Sequence, residues 1–302
     1  MTTTAFTLIL LSVVLHVGWN FLCKANKHPT LSFYFVANLL AAVVLVPFLF
    51  IVKLDWVQLG WRFWLALFFS DFFEAIYSIG LYKAYGKNDI SLVYPMARAL
   101  PVLMIPVVTL LFGIGNVPSC PALAGMAVVA VGCMIMPQSK FSDLNCRMLF
   151  SAAMVPIAIA AVGTTGYTIM DNIATARALV LSASSRIITL GAYLCIVQFG
   201  IALFILAYML LCNGEGWMDI KTNLRDPNAY LCGIFAFAAY FLVLGAMGFV
   251  SNVSYLQAFR QMSLPLGVFA GIWFLKERFT LPKIIGTLLV VAGLIMTVIF
   301  PN

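Results

Sequence analysis

Ten apolar segments, bounded by charged residues, proline or asparagine, occupy most of this 302-residue chain. The hydrocarbon core of a bilayer is roughly 30 Å thick, so a helix that crosses it needs about 20 mostly apolar residues. The segments lack the polar/apolar alternation of a membrane β-barrel, so each one predicts a helix. They cover residues 4–24, 31–52, 60–85, 90–112, 119–137, 148–172, 185–212, 228–249, 252–275 and 282–300.

The composition excludes several other classes of protein. Apolar residues make up 64% of the chain and charged residues 9%, which leaves no segment long enough for a soluble domain. The net charge of +7 is expected from loops that face an anionic leaflet, so nucleic acid is not an expected partner. The seven cysteines have no metal-binding spacing, and no cofactor is expected. The start Met-Thr-Thr-Thr lacks the basic residues of a secretory signal, so the first segment is expected to remain as a helix.

An internal repeat divides the chain into two halves. Ala84-x-Gly86 and Arg98 are matched 162 residues later by Ala246-x-Gly248 and Arg260. Each half holds five segments, and because five is odd, the second half must enter the membrane from the opposite face. The sequence therefore predicts an all-α membrane protein of ten transmembrane helices, as two inverted five-helix repeats over residues 1–139 and 140–302. Further matches are Phe112 with Phe274 and, after a slip of one residue, Pro121, Gly125 and Gly132 with Pro282, Gly286 and Gly293.

Motifs in the later part of each half carry a resemblance to a known family. They are Tyr94-Pro-Met-Ala-Arg98-Ala-Leu-Pro101, then Ala258-Phe-Arg260-Gln-Met-Ser263, and Phe274-Leu-Lys-Glu277-Arg278-Phe-Thr280 followed by Gly286 and Gly293. With the segment count and the duplication, they resemble the drug/metabolite transporter superfamily, in particular its ten-span EamA-type members. The first half departs from this pattern, with Gly115-Asn116 where the second half has Glu277-Arg278.

The resemblance implies secondary transport across a cell membrane, the bacterial inner membrane, by a multi-pass protein. His16-x-x-Trp19-Asn20 resembles a subset of bacterial EamA proteins, some of which accompany phosphonate-degradation genes. The resemblance also implies that both termini are cytoplasmic. The lysine and arginine count points the other way: eleven lie in connections on one side of the predicted membrane and four on the other, which would place both termini outside.

Two arginines lie deep in equivalent segments. An ionisable group in a membrane costs roughly 2.5–3.5 kcal/mol on insertion scales, so it usually faces a cavity or a partner. Arg98 and Arg260 are each expected roughly 12 Å from a membrane surface, approached from opposite sides. They could hold an anionic group of a substrate through bidentate hydrogen bonds. Alternatively, they could brace the two repeats through backbone carbonyls or a carboxylate.

The third segment carries a polar stripe. Asp71 and Glu74 are three residues apart and share a helix face, and Tyr77 and Tyr82 extend it. A buried carboxylate can exchange a proton, so Asp71 and Glu74 are predicted to couple transport to protons. The alternative is that Glu74 neutralises Arg98 or His16. Tyr77 and Tyr82, together with Tyr94 of the next segment, are predicted to contact substrate.

Polar residues also occupy matching positions of the first and sixth segments. His16 and Asn20 share one face of the first, and Thr164 and Thr168 stand at the corresponding positions of the sixth. These four are predicted to line a cavity, with Trp19 as an aromatic wall, although a lone histidine is also a common structural residue. Prolines in the fourth and ninth segments could permit bending during gating or belong to static helices; they are Pro95, Pro101, Pro106 and Pro265.

These features together predict a secondary active transporter, not an enzyme, that exports or exchanges a small polar organic metabolite by alternating access. The arginines favour a substrate with a carboxylate, phosphate or phosphonate group. No P-loop motif is present in the sequence, so ATP-driven transport by this chain alone is not expected. The expected partners are this substrate and the lipid bilayer, for a monomer or homodimer. The alternatives are an exporter of amino acids or cationic drugs, a membrane scaffold, or an intramembrane enzyme.

Overall fold

The computed structural model describes residues 2–25, 30–85, 90–136, 138, 140–141, 152, 154–275 and 280–299; at 20–25, 85, 90–92, 94–95, 213 and 270–275 it describes only the backbone. Every regular element in these ranges is helical. The helices are α1 (Thr3–Ala25), α2 (Leu31–Ile51), α3 (Gly60–Tyr85), α4 (Ile90–Phe112), α5 (Cys120–Ile135), α6 (Met154–Leu181), α7 (Arg186–Tyr208) with a π-turn (Met209–Asn213), α8 (Trp217–Asn223), α9 (Pro227–Met247), α10 (Val253–Arg260), α11 (Ser263–Leu275) and α12 (Leu281–Ile299).

Several of these helices can cross a membrane. Among the residues described, six are long and apolar enough by length and composition: α2, α3, α6, α9 and α12, and α7 with its π-turn. Shorter apolar stretches lie in α1, α4 and α5, at Thr3–Trp19, Met96–Phe112 and Cys120–Ile135. The predicted all-α class is therefore confirmed for the described residues, and the six candidate spans are consistent with the predicted membrane protein. The count of ten spans stays a prediction.

The end of the sixth helix and the presence of a short eighth helix differ from the prediction. The sixth helix continues to Leu181 rather than ending near residue 172, because an alanine-rich segment with high helix propensity follows Asn172. Arg177 in this extension donates to the carbonyls of Gln58 (3.1 Å) and Leu59 (3.4 Å), so its charge does not end the helix. The short helix α8 was not predicted, since its seven residues are too few to show a helical period.

Helix pairing relates the two halves to each other. The most extensive contacts join α3 to α6, α5 to α12, α2 to α7, and α1 to α9. By segment order, the equivalent helices of the two halves are α1 and α6, α2 and α7, α3 and α9, and α5 and α12. If each helix is replaced by its equivalent, the α3–α6 pair becomes the α9–α1 pair. The α2–α7 and α5–α12 pairs map onto themselves. The packing therefore has the exchange symmetry that a repeat of two similar halves requires.

The α5–α12 contact also gives the relative direction of two equivalent helices. A Cβ on Gly125 would lie 2.7 Å from the carbonyl oxygen of Gly293, and one on Gly132 would lie 2.7 Å from that of Gly286. Glycine at both crossing points lets the backbones approach closely, as membrane helices commonly do. Because the residue number falls along α12 as it rises along α5, the two helices are antiparallel.

The ninth predicted segment is two helices rather than one. Helix α10 ends at Arg260 and α11 begins at Ser263, two residues before Pro265. Proline has no N–H and its ring clashes with the carbonyl four residues earlier, so the helix breaks at this point. The Leu264 N–H donates to Gln261 instead (2.9 Å), which leaves the Arg260 carbonyl without its usual helical donor. Helix α4, in contrast, continues past Pro101 and Pro106.

Candidate functional site: a polar cluster between the halves

The side chain of Arg98 on α4 reaches the break between α10 and α11. Its Nη2 donates to the carbonyl of Arg260 (2.8 Å) and to the Ser263 hydroxyl (2.9 Å). Its Nε donates to the side-chain oxygen of Gln261 (3.2 Å). Only 8% of Arg98 is exposed, so these bonds satisfy a charge that is largely removed from solvent. The first half is thus tied to the broken helix of the second half.

His16 is a further partner of Arg98. Its Nε2 lies 2.8 Å from the remaining nitrogen, Nη1. A guanidinium can only donate, so Nε2 accepts and the ring proton must be on Nδ1. The Trp19 ring packs edge-on against His16, with centroids 6.2 Å apart. All three guanidinium nitrogens of Arg98 are therefore bonded to protein. These contacts fit the alternative in which Arg98 braces the two repeats rather than binding a substrate.

Arg260 lies beside a row of tyrosines. Its Nη1 donates to the side chain of Gln257 (3.3 Å), and its guanidinium carbon is 5.9 Å from the centroid of the Tyr240 ring. The Tyr240 ring contacts Tyr167 at 5.6 Å, and Tyr167 contacts Tyr77 at 5.9 Å, both edge-on. The Tyr167 hydroxyl also accepts a hydrogen bond from Arg260. This guanidinium still has fewer described hydrogen bonds than that of Arg98, and an aromatic surface lies on one side of it.

A small cavity adjoins both arginines' helices. Its volume is about 10 Å³, which is close to the minimum that holds one water molecule. The cavity is therefore closed to larger molecules in this structure. The lining residues come from α3, α4, α6 and α10, and are Tyr77, Leu81, Ala97, Arg98, Thr164, Tyr167 and Gln257.

A fully buried carboxylate, Asp171 on α6, lies next to this site. It accepts hydrogen bonds from three helices: from Ser70 on α3, from Tyr193 on α7 (2.6 Å) and from Tyr240 on α9. The sequence analysis missed Asp171. The sixth segment was predicted to end at residue 172, which would place Asp171 at a helix end rather than within the membrane. The available signal was the helix propensity of the alanine-rich residues that follow it.

Asp71 and Glu74 lie near Asp171, so the three negative charges would repel one another if all were ionised. Only 7% of Asp71 is exposed, and it packs so closely on α7 that a Cβ on Gly200 would overlap its carboxylate. Its Oδ1 and the Oε2 of Glu74 are both buried without a hydrogen-bond partner among the residues described. The charges that act on Glu74 are Asp171 and Arg260.

The structure brings most of the predicted site residues together. Tyr77, Arg98 and Thr164 line the cavity, His16 and Arg260 contact Arg98, and Trp19 contacts His16. Thr168 is fully buried, and its hydroxyl has no partner among the described residues. Tyr82 is half-buried against the apolar core and does not line the cavity. The side chains of Asn20 and Tyr94, and the Glu277-Arg278 motif, lie outside the described residues.

Comparison with known proteins identifies a solved structure of the same fold. No protein-family model and no curated protein sequence matches the chain. A solved structure, described simply as the crystal structure of a protein, superposes with a TM-score of 0.68. The match covers 100% of this chain and 98% of the other, at 13% sequence identity. A likeness at this identity concerns the fold alone.

Proposed function

We propose that this protein is a secondary active transporter that exports or exchanges a small polar organic metabolite by alternating access. The observation that carries the proposal is the hydrogen bond from Arg98 to the carbonyl of Arg260, beside a closed cavity at the contact between the two halves. Broken helices at such a contact are where membrane transporters commonly bind their substrates. A scaffold protein would not need two buried arginines and three buried carboxylates at one place.

The proposed architecture is ten spans in two inverted halves, of the EamA type, in the bacterial inner membrane. The antiparallel crossing of α5 and α12 supports it, since equivalent helices of inverted repeats must run in opposite directions. Hydrogen bonds between the connections that link the spans support it as well. Each bond joins two connections that a ten-span topology would place on the same side of the membrane. Examples are Asn116 N–H to Ser251 (3.1 Å), Ala183 N–H to Lys53 (3.0 Å), and Ser32 N–H to Glu215 (2.8 Å).

The substrate class follows from Arg260. Its guanidinium is buried, and its described partners are the neutral Gln257 amide and Tyr167 hydroxyl, so a carboxylate, phosphate or phosphonate would be a stronger partner. The substrate would reach it when the halves separate and the cavity opens. The tyrosine row beside Arg260 supports a second candidate, because aromatic faces bind organic cations. That candidate is an exporter of amino acids or cationic drugs.

A substrate screen followed by flux measurements tests this function. Thermal shifts of the purified protein are measured with carboxylates, phosphate, methylphosphonate, amino acids and organic cations, because a ligand that binds the native state raises its melting temperature. Compounds that shift the melt are then assayed for uptake into proteoliposomes. We expect anions to shift the melt and to be transported.

Two arginine variants make the test specific. Arg260→Ala is expected to remove both the anion shift and the flux, whereas Arg62→Ala, which changes an exposed arginine on α3, should leave both intact. A correctly folded Arg260→Ala protein with wild-type anion flux would contradict the substrate assignment. Shifts caused only by organic cations would favour the second candidate, and no flux for any compound that binds would favour a scaffold.

A further inference from the structure

The three carboxyl groups next to Arg260 differ in their hydrogen bonding. Asp171 accepts from three hydroxyl groups on three helices. Asp71 and Glu74 each keep one buried oxygen without a partner among the residues described. The three groups are close enough to act on one another electrostatically. The surroundings therefore distinguish one carboxyl group from the other two.

This difference has a direct consequence for charge. An ionised carboxylate is costly to bury unless donors and a counter-charge surround it, whereas a neutral carboxyl group tolerates fewer partners. Asp171 has the donors, and Arg260 provides the opposite charge. Arg260 also acts on Glu74, but Asp71 and Glu74 each leave one buried oxygen without a donor among the residues described. Ionising them would place two more negative charges beside Asp171.

The described titratable and charged groups around this cluster come from six helices. They are Asp71, Glu74 and Tyr77 on α3, Arg98 on α4, Tyr167 on α6 itself, Tyr193 on α7, Tyr240 on α9 and Arg260 on α10.

We propose that Asp171 is the ionised counter-ion of Arg260 and that Asp71 and Glu74 each hold a proton in the closed site. The inference rests on the proposed function for its consequence in transport. Arg98 and Arg260 then face a single negative charge, so one positive charge remains for an anionic substrate to balance. The protons on Asp71 and Glu74 and the anionic substrate therefore occupy the site at the same time. Asp171 is a positioning residue that keeps Arg260 directed into the cluster.

Infrared spectroscopy of the purified protein at neutral pH tests this charge assignment without any substrate. The carbonyl band of buried protonated carboxyl groups is expected to contain two components. Asp71→Asn and Glu74→Gln should each remove one of them, and the double variant should have none. Asparagine and glutamine have the shape of the neutral acids, so Asp171 and its three hydroxyl donors are left unchanged. Asp55→Asn, which changes an exposed carboxylate, is the control and should retain both components.

Loss of a donor to Asp171 gives an independent readout. Tyr240→Phe removes one hydroxyl donor, so Asp171 should take up a proton and the band should gain a component. A band that persists in the double variant, or that is absent from the wild-type protein, would overturn the assignment. An unchanged band in folded Tyr240→Phe would do the same. Because no flux is measured, these results stand apart from the success or failure of the proposed transport function.

Discussion

Arg98 donates a 2.8 Å hydrogen bond to the backbone carbonyl of Arg260, its counterpart in the other half of the chain. The two equivalent arginines are therefore not used in equivalent ways: one contributes its side chain and the other its backbone. The cause is Pro265, which breaks the second-half helix and frees that carbonyl. The corresponding position in the first half is Leu103, and α4 is unbroken there. The symmetric sequence positions thus form an asymmetric site.

Removing the break should impair transport. Pro265→Ala restores an N–H and lets the helix close across residues 261–262, so the Arg260 carbonyl returns to the helical ladder and Arg98 loses it as an acceptor. A hydrogen bond from a charged group contributes about 1.5–3 kcal/mol. We expect flux to fall by about tenfold or more if this bond stabilises a state on the transport cycle, as measured in proteoliposomes.

Pro47→Ala provides the control for that variant, since Pro47 lies within the continuous helix α2. It should leave flux near the wild-type value. Equal flux in the wild-type and Pro265→Ala proteins would show that the break is not needed for transport.

The close crossing of α5 and α12 should not tolerate a side chain. Gly132→Ala would place its Cβ 2.7 Å from the Gly286 carbonyl oxygen, which must force the helices apart at a cost of about 1–3 kcal/mol. Thermal unfolding in detergent measures the effect as a lower melting temperature.

Gly267→Ala is the matched helical control, because nothing lies within 4 Å of its Cβ position. It should stabilise the protein by about 0.5–1 kcal/mol, through lower backbone entropy in the unfolded chain. If both variants melt at the same temperature, the crossing is looser than these distances indicate.

Proton coupling should depend on Glu74. Glu74→Gln keeps the size and shape of the neutral acid but cannot release a proton. We therefore expect exchange of substrate between the two sides of a proteoliposome to continue, while accumulation driven by a pH gradient is lost. The comparison of these two assays on one variant separates coupling from binding. Gradient-driven accumulation at the wild-type level would exclude Glu74 as the coupling residue.

Inverted topology can be tested by thiol labelling. In a chain whose cysteines are replaced by serine, cysteines introduced at Gln58 and at Lys221 should react with a membrane-impermeant reagent from opposite sides. Both positions are exposed in connections, and ten spans place five crossings between them. Labelling from the same side would contradict the proposed span count. The side on which Lys221 lies also decides between the two orientations indicated by the sequence.

Much of this architecture was predictable because the bilayer allows few solutions. A continuous apolar segment in lipid must satisfy its backbone internally, so its length and composition alone predict a helix. The bounds of α3 and α4 coincide with the predicted segments. The repeat likewise identified Arg98 and Arg260, and the structure shows them in contact.

The sequence by itself determined the helical class, the membrane setting, and the positions of most buried polar residues, since these depend on local hydrophobicity. Tertiary structure alone decided how those residues are used. It directs Arg98 to a carbonyl that Pro265 frees, and it surrounds Asp171 with hydroxyl groups that are distant in the sequence. Asp71 and Glu74 each keep one buried oxygen without a donor among the described residues. Hydrogen bonds between helices depend on crossing points and side-chain directions, and a one-dimensional pattern of polar and apolar residues does not contain them.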